Sequence, residues 1–428
     1  VKVDLTSVTA LKAAGRDALA VQIAGQPIWR GRVHARAIAT REQGGLVLAS
    51  DGIVWVWGAG VFNDQLGTGH TTNQPVPIPM PSPWAPASVV QVSGRGAGGA
   101  LLLTSDGSVW SWGHNGGGQN GNGTAADTQP IPGPVTATWG ARQVVQIVGR
   151  VNAAAALADD GTVWAWGAGA NGGLGVGDTA NRTTATQVIP AWGPRRIVQI
   201  AGQGATGFFA LDEGGTVWAW GSGAAGRLGN GTTAASHAPV PVTPAWGARA
   251  IVQVAARTDG GIALADDGTL WSWGSGGHNG DGTTTNALTP VQVAALGTRT
   301  TAVAGRNDGA GVILDDGTVW AWGAGALGAN GNGTTADALA PVPVTPTWGP
   351  RRAIAIAGRG LGGAHVLLDD GAVWGWGAGS AQQIGNGTGP NHWHIPAEVT
   401  ATWDGVMTAL TLNVPDLGAT EDHDYQDR

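Results

Sequence analysis

A Trp-x-Trp-Gly sequence recurs seven times in this chain, and its spacing leaves few folds open. The copies run Trp55 to Gly58, Trp110 to Gly113, Trp164 to Gly167, Trp218 to Gly221, Trp271 to Gly274, Trp320 to Gly323 and Trp374 to Gly377. Successive first tryptophans are 55, 54, 54, 53, 49 and 54 residues apart. A period of that size, without heptads or long apolar runs, belongs to a solenoid or a propeller in which each unit buries its apolar face against its neighbours. Seven near-equal units across most of 428 residues predict one closed domain rather than several.

Within a unit the pattern is that of strands and tight turns. The second repeat reads Val89-Val90-Gln91-Val92, a Gly-rich turn at Gly94-Arg95-Gly96, Ala100-Leu101-Leu102-Leu103, the turn Ser105-Asp106-Gly107, and Val109-Trp110-Ser111-Trp112-Gly113. A loop from His114 to Asp127 and a Pro-bounded segment follow. Asp-Gly between two apolar runs is a strong hairpin signal, and a type I′ turn is expected there. Each repeat is therefore a three- or four-stranded antiparallel sheet, and the fold class is all-β. Trp-x-Trp places both indoles on one face of a strand, where each buries about 150–250 Å² against the next sheet. The alternative, an exposed sugar-stacking platform, needs the same rings to face water. A second periodic set, Trp29, Trp84, Trp139, Trp192, Trp246, Trp348 and Trp403, is expected to pack at the core edge.

The ends of the chain depart from the repeat. Val1 to Ala10 and Val406 to Leu412 each read as a lone strand, and a ring of sheets is closed economically when terminal strands remove its open edges. The expected division is 1–31 as an N-terminal strand and ring-closure segment, 32–412 as the repeats, and 413–428 as an acidic tail. That tail carries Asp416, Glu421, Asp422, Asp424 and Asp427, a composition that favours solvation or ordering on a partner. The start at Val1 without a signal-type apolar stretch reads as a processed or trimmed form.

Composition removes several classes of function. With 42% hydrophobic residues and 22 Trp there is ample surface to bury, despite Gly 75 and Pro 23. Absence of cysteine excludes disulfides, thiolate metal sites and cysteine nucleophiles. A net charge of -7 gives no support to nucleic-acid coating, and no apolar run reaches the length of a membrane span.

Asp160-Gly161-Thr162-Val163-Trp164-Ala165-Trp166-Gly167, followed by Gly173-Leu174-Gly175-Val176-Gly177 or Arg227-Leu228-Gly229-Asn230-Gly231, resembles the repeat of the regulator of chromosome condensation family. That resemblance covers roughly Arg32 to Val399 and implies a seven-bladed β-propeller of about 54-residue repeats. The family includes a nucleotide-exchange factor for a small nuclear GTPase, a plant ultraviolet-B photoreceptor and a secreted bacterial inhibitor of β-lactamases. What they share is a protein-binding face. Eukaryotic members carry Gly-x-x-His-Thr where this chain reads Gly94-Arg95-Gly96-Ala97, Gly149-Arg150-Val151-Asn152 and Gly305-Arg306-Asn307-Asp308. The Ala/Gly-rich, Lys-poor character looks bacterial or phage-like.

Following one repeat sorts its loops onto two faces. On the first, Trp-Gly-x-Arg residues Arg142, Arg196, Arg249 and Arg351 accompany acid turns such as Asp159-Asp160 and Asp266-Asp267, so charges should largely cancel. On the second lie Arg41, Arg95, Arg150, Arg257, Arg306 and Arg359, with Gln203 in the remaining repeat. Such a ring either draws anions to the axis, with Arg95, Arg150, Arg257 and Arg306 as the candidate site, or satisfies backbone carbonyls of the neighbouring blade. The irregular residues are Phe62 and His70 in the first repeat and His392, Trp393 and His394 in a seventh-repeat loop. Ring closure would gather them into one partner-binding patch, with Arg41 and Arg359 as charged support and Trp393 as its anchor. Three histidines without fixed geometry are weak grounds for a metal, and neither cofactor nor catalytic constellation is expected. The expected function is a non-catalytic propeller that binds another protein or copies of itself at an extracellular, cell-surface or virion location. A carbohydrate- or anion-binding module using the Arg ring, and a guanine nucleotide exchange factor-like regulator, are the alternatives.

Overall fold

Each repeat folds into one four-stranded antiparallel sheet whose strands follow one another in sequence, and seven such blades form a ring, a seven-bladed β-propeller. This computed structural model describes the backbone of residues 20–23, 26–30 and 33–400, except 61–65, 70, 85–87, 97, 127, 137–138, 205–206, 361 and 389–390. Side chains are described from residue 33 onward, Gln203 excepted. The blades make up one compact unit, Val33–Trp403. Separately, Ala20–Ile23 and Gln26–Arg30 pair as an antiparallel hairpin that the sequence reading did not foresee. The terminal candidates at 1–10 and 406–412, and the acidic tail 413–428, lie outside the described residues.

The third blade shows why the sequence folds this way. Its strands are Val144–Arg150, Ala153–Ala158, Val163–Gly167 and Arg182–Gln187, running from the axis outward. The second strand is buried at every position, because sheets cover both its faces. At the acid turn the Ala158 N–H donates to the Thr162 carbonyl at 2.9 Å and the Gly161 N–H to the Ala158 carbonyl at 2.9 Å. Of these turn residues only Gly161 has positive φ, +83°. The turn is thus a type I turn with glycine in the following bulge, not the type I′ turn expected from Asp-Gly. Asp160 stabilises it by accepting from the Thr162 N–H at 3.0 Å.

Blades hold to one another through the tryptophans. The second indole of each Trp-x-Trp is at most 1% exposed, which excludes the sugar-platform reading. Several also donate across the seam to a loop carbonyl of the preceding blade: Trp166 to Gln119 at 3.0 Å, Trp273 to Arg227 at 3.1 Å, Trp322 to His278 at 3.0 Å and Trp376 to Ala329 at 3.1 Å. Trp57 makes the same bond to Gln383 at 3.0 Å, so blade seven meets blade one as any blade meets the next. The Gly387 N–H to Pro75 carbonyl bond of 2.9 Å adds to that closure. Among the described residues, ring closure rests on packing between blades that each take all four strands from a single repeat.

Around the axis the inner strands converge. A methyl group at Gly149 would strike the Gly94 carbonyl of the preceding inner strand, and one at Gly305 the Ala256 carbonyl, so glycine permits the close approach. Glutamine side chains lace four of these seams. Gln146 accepts from the Ile200 N–H at 2.8 Å while its amide donates to the Ile200 carbonyl at 3.1 Å. Gln91 holds Ile147 in the same two-bond manner. Gln199 accepts from the Val254 N–H at 2.8 Å, and Gln253 donates to the Val303 carbonyl at 3.2 Å. Blades six, seven and one carry Ala302, Ala355 and Ala37 at that position.

Candidate protein-binding face

The arginine series is buried and bonded within the blades, at the edge of the axial opening on the second face. Arg41, Arg95, Arg150, Arg257, Arg306 and Arg359 are each at most 5% exposed. Their guanidinium groups reach back under their own blades: Arg41 Nη2 donates to the Trp57 carbonyl at 2.7 Å, Arg257 Nη2 to Trp273 at 2.6 Å, and Arg95 and Arg306 Nη2 to Trp112 and Trp322 at 2.5 Å. Arg150 Nη2 donates to the Ala168 carbonyl at 2.5 Å, and Arg359 holds the carbonyls of Ala378 and Trp376. In three blades an asparagine completes the set, Asn120, Asn279 and Asn330 accepting from Arg95, Arg257 and Arg306. Burial lowers the pKa of Arg95, Arg150 and Arg359 to about 9 and that of Arg41 and Arg306 to about 10. They remain charged at neutral pH, stabilised by carbonyl dipoles of their own blade rather than the neighbour's. Arg41 and Arg359, expected as charged support of a surface patch, are held within their own blades.

The patch expected at ring closure is described only in part. Phe62 and His70 lie outside the described residues. Trp393 is not in a loop: it opens the outer strand Trp393–Glu398, opposite Gly377, and is half-buried. His392 Nδ1 accepts from the Gly379 N–H at 3.2 Å. The His394 carbonyl accepts from the Gly333 N–H at 2.8 Å, and its ring lies over Gly328, so this strand packs on blade six rather than blade one. His237 does the same over Gly172 between blades four and three, with its carbonyl taking the Gly177 N–H at 2.9 Å. His394 thus fills a repeat position.

Among the described residues one cluster has metal-like spacing, Asp259, His278 and Asp308, whose ligand atoms lie within 4.8 Å of one another. His278 Nδ1 is 2.6 Å from Asp259 Oδ2, and Arg257 Nη1 is 3.7 Å from Asp259 Oδ1. The arginine already supplies positive charge, so the carboxylate has no need of a cation.

The first face is organised differently. In every blade the register slips after the first residue of the inner strand, leaving the second residue in a bulge. A bulge turns the extra side chain out of the ladder. The side chains so displayed around the axis are Val90, Val145, Val198, Val252 and Ile354, between 48% and 58% exposed, with Arg36 and Thr301 in the other two blades. A concentric ring of ion pairs surrounds them: Arg142 with Asp160 at 2.5 Å, Arg249 with Asp267 at 2.5 Å, Arg195 with Asp212 at 3.2 Å, Arg351 with Asp370 at 3.2 Å, and Arg299 with Asp315 and Asp316. The Thr269 hydroxyl and N–H, then Arg249, hold the Asp267 carboxyl down to about 2, and Thr318 with Arg299 does the same for Asp316. The charges on this face largely cancel, as expected from the sequence, except that Arg195 and not Arg196 makes the ion pair of blade four, Arg196 donating to the Asp159 carbonyl. Exposed pairs of this kind are screened by water and contribute little to stability, so they orient and solvate more than they stabilise.

Sequence reasoning missed the aliphatic ring because strict alternation places Val144 and Gln146 on one side and leaves Val145 facing the core sheet. The doubled residue before a glutamine, Val89-Val90-Gln91, Val144-Val145-Gln146, Ile197-Val198-Gln199 and Ile251-Val252-Gln253, was the available signal.

The family model of the RCC1-like domain matches residues 53–414. The chain is 33% identical over 181 residues to the human (Homo sapiens) E3 ubiquitin-protein ligase HERC2, a stretch that is 41% of this chain and 4% of that protein. It is 35% identical over 196 residues to the Ultraviolet-B receptor UVR8 of Arabidopsis thaliana, covering 45% of this chain and 43% of the receptor. The chain thus spans less than half of these relatives. The solved structure of Prp20p from Saccharomyces cerevisiae superposes with a TM-score of 0.71 at 21% identity, covering 83% of this chain and 88% of Prp20p, which is a likeness of fold.

Proposed function

Because this chain belongs to the RCC1-like domain family, we propose that it is a non-catalytic propeller that binds another protein through its first face. The observation that carries this reading is the exposed aliphatic ring Val90, Val145, Val198, Val252 and Ile354 enclosed by paired charges. An apolar centre with a polar, hydrogen-bonding rim is the anatomy of a protein interface. The solved structure of Prp20p is described together with its binding to Gsp1p and histones, which supports protein binding as a use of this fold. The second face offers less: the six arginines of its inner series lie buried under the blades, and the opening at the axis there has a volume of about 130 Å³.

The test compares affinity capture from the native host by the wild-type chain and by the Val145→Asp/Val198→Asp/Val252→Asp variant. A charge placed at the centre of an interface removes a hot-spot region, so the captured partner should fall by about tenfold or more while the melting temperature holds. Equal capture by both proteins overturns the assignment to this face. Sedimentation across concentrations separates a foreign partner from self-assembly: a dimer abolished by the same variant would make the partner a second copy.

A further inference from the structure

The blades are not equivalent on the first face: among the described residues, blade six departs from the five in which one pairing recurs. In five other blades a connecting-loop tryptophan covers the first indole of Trp-x-Trp: Trp84 on Trp110, Trp139 on Trp164, Trp192 on Trp218, Trp246 on Trp271 and Trp348 on Trp374. Ring centroids are 5.6 to 6.5 Å apart in these pairs. In blades three and seven a guanidinium adds a second cover, Arg142 lying 6.0 Å over Trp164 and Arg351 5.4 Å over Trp374. The loop entering blade six differs in length as well as sequence. Between the last core valine of one blade and the next inner strand stand residues 243–250 before blade five and 345–352 before blade seven, but only 294–299 before blade six. Two residues are gone, and Leu296-Gly297 stands where Trp246-Gly247 stands one blade earlier.

The consequence is a groove over Trp320. Leu296 is buried in the core cluster against which Trp320 packs from below, and its side chain is shorter than an indole. Arg299 turns away to Asp315 and Asp316 instead of covering the ring. Among the described residues neither an aromatic ring nor a guanidinium is stacked on Trp320, which is half-buried. The open space has a volume of about 440 Å³ and is lined by Trp320, Pro343, Pro346, Arg299, Arg351 and Arg352.

We propose that this groove is a binding site for an aromatic side chain of a partner polypeptide, which takes the place that a loop tryptophan occupies in the other blades. The fold itself shows what fits there, since five copies of the same surface carry an indole. Offset and edge-to-face aromatic contacts contribute beyond the area they bury, and prolines flanking an indole make a rigid wall for a planar guest. Arginines at the rim supply donors to the backbone or to carboxylates beside the aromatic residue. The proposal rests on the protein-binding reading of the first face, and it adds where that binding is anchored and by which residue type.

The test uses the full chain and a defined probe, N-acetyl-5-fluorotryptophanamide, followed by fluorine NMR line broadening. A single small anchor binds weakly, so titration runs to about millimolar concentration. Two variants are compared: Trp320→Leu, and a graft in which residues 294–299 are replaced by the sequence of 243–250, restoring the missing tryptophan. The expected result is broadening with the wild-type chain that falls by about tenfold in apparent affinity in both variants, with the graft melting no lower than the parent. The graft keeps Trp320, so it decides the matter even where Trp320→Leu folds poorly. Absence of broadening in the wild-type chain, or undiminished broadening in the graft, overturns the proposal. Displacement of the probe by cellotetraose would assign the groove to a sugar and also overturn it. No native partner enters this measurement, so it fails or succeeds independently of the capture experiment.

Discussion

At the scale of single residues, the chain separates side chains that build the ring from those that face outward, and their types do not reveal which is which. Six arginines with the regularity of a ligand ring are buried and donate to carbonyls of their own blades. Trp166 is fully buried and its indole N–H crosses to blade two. Replacing it with alanine should cost about 3–5 kcal/mol, read by chemical denaturation; a variant as stable as the parent would contradict its role as inter-blade packing. His365 gives a residue-scale prediction of another kind. It lies in the second strand of blade seven, fully buried, with its ring edge-on to Trp57 of blade one at 5.3 Å. Burial, and then the Arg359 charge, lower its pKa to about 3. The unfolded chain takes up that proton near pH ~6.5, so acid favours unfolding: the stabilisation is complete above that pH and is lost progressively as pH falls toward the folded value. At pH ~5 the loss should be about 2 kcal/mol relative to neutral pH. His365→Phe, matching Phe209 of blade four, should flatten stability between about pH 7.5 and 5. An unchanged slope in that variant would assign the dependence elsewhere.

At the scale of elements, the strands and their order were legible from the repeat, whereas departures within strands were not. Alternation placed the Trp-x-Trp strand and its buried face because nothing interrupts that ladder. It failed one strand inward, where a bulge after Val144 turns Val145 outward and creates the apolar ring that carries the functional reading. It failed again at Trp393, read as a loop residue because Asn391 to His394 breaks the consensus, although the backbone pairs there as in every other outer strand. The Arg series was legible as periodic but not as buried, since its partners are backbone carbonyls that no sequence displays. Glutamine lacing also divides the ring into unequal parts. The seams leaving blades two, three, four and five have it, while those leaving six, seven and one carry alanine. Amide hydrogen exchange should therefore be faster in the inner strands Ala353–Gly358 and Ala35–Arg41 than in Ile197–Gln203, because local opening follows the least-bonded seams. Uniform protection around the ring would contradict this. Gln146→Leu should cost about 1–3 kcal/mol by leaving the buried Ile200 groups unpaired.

At the scale of the whole molecule, seven similar sheets give two faces with opposite character. The second face carries the long loops over buried arginines, and the first displays an apolar centre, a ring of compensated charges and a groove beside Trp320. Repetition explains the architecture, and the asymmetries that remain are concentrated where a partner would be read. The family supplies the fold and not the partner, since propellers of this kind serve unrelated ends. The claim that the first face is the binding face is tested most directly by hydrogen-exchange footprinting of the chain with its captured partner. Protection should appear around residues 88–91, 143–146, 196–199, 250–253 and 352–355 and over 317–320 and 343–350. Protection confined instead to the second-face loops, residues 168–181, 222–235 and 275–286, would contradict it.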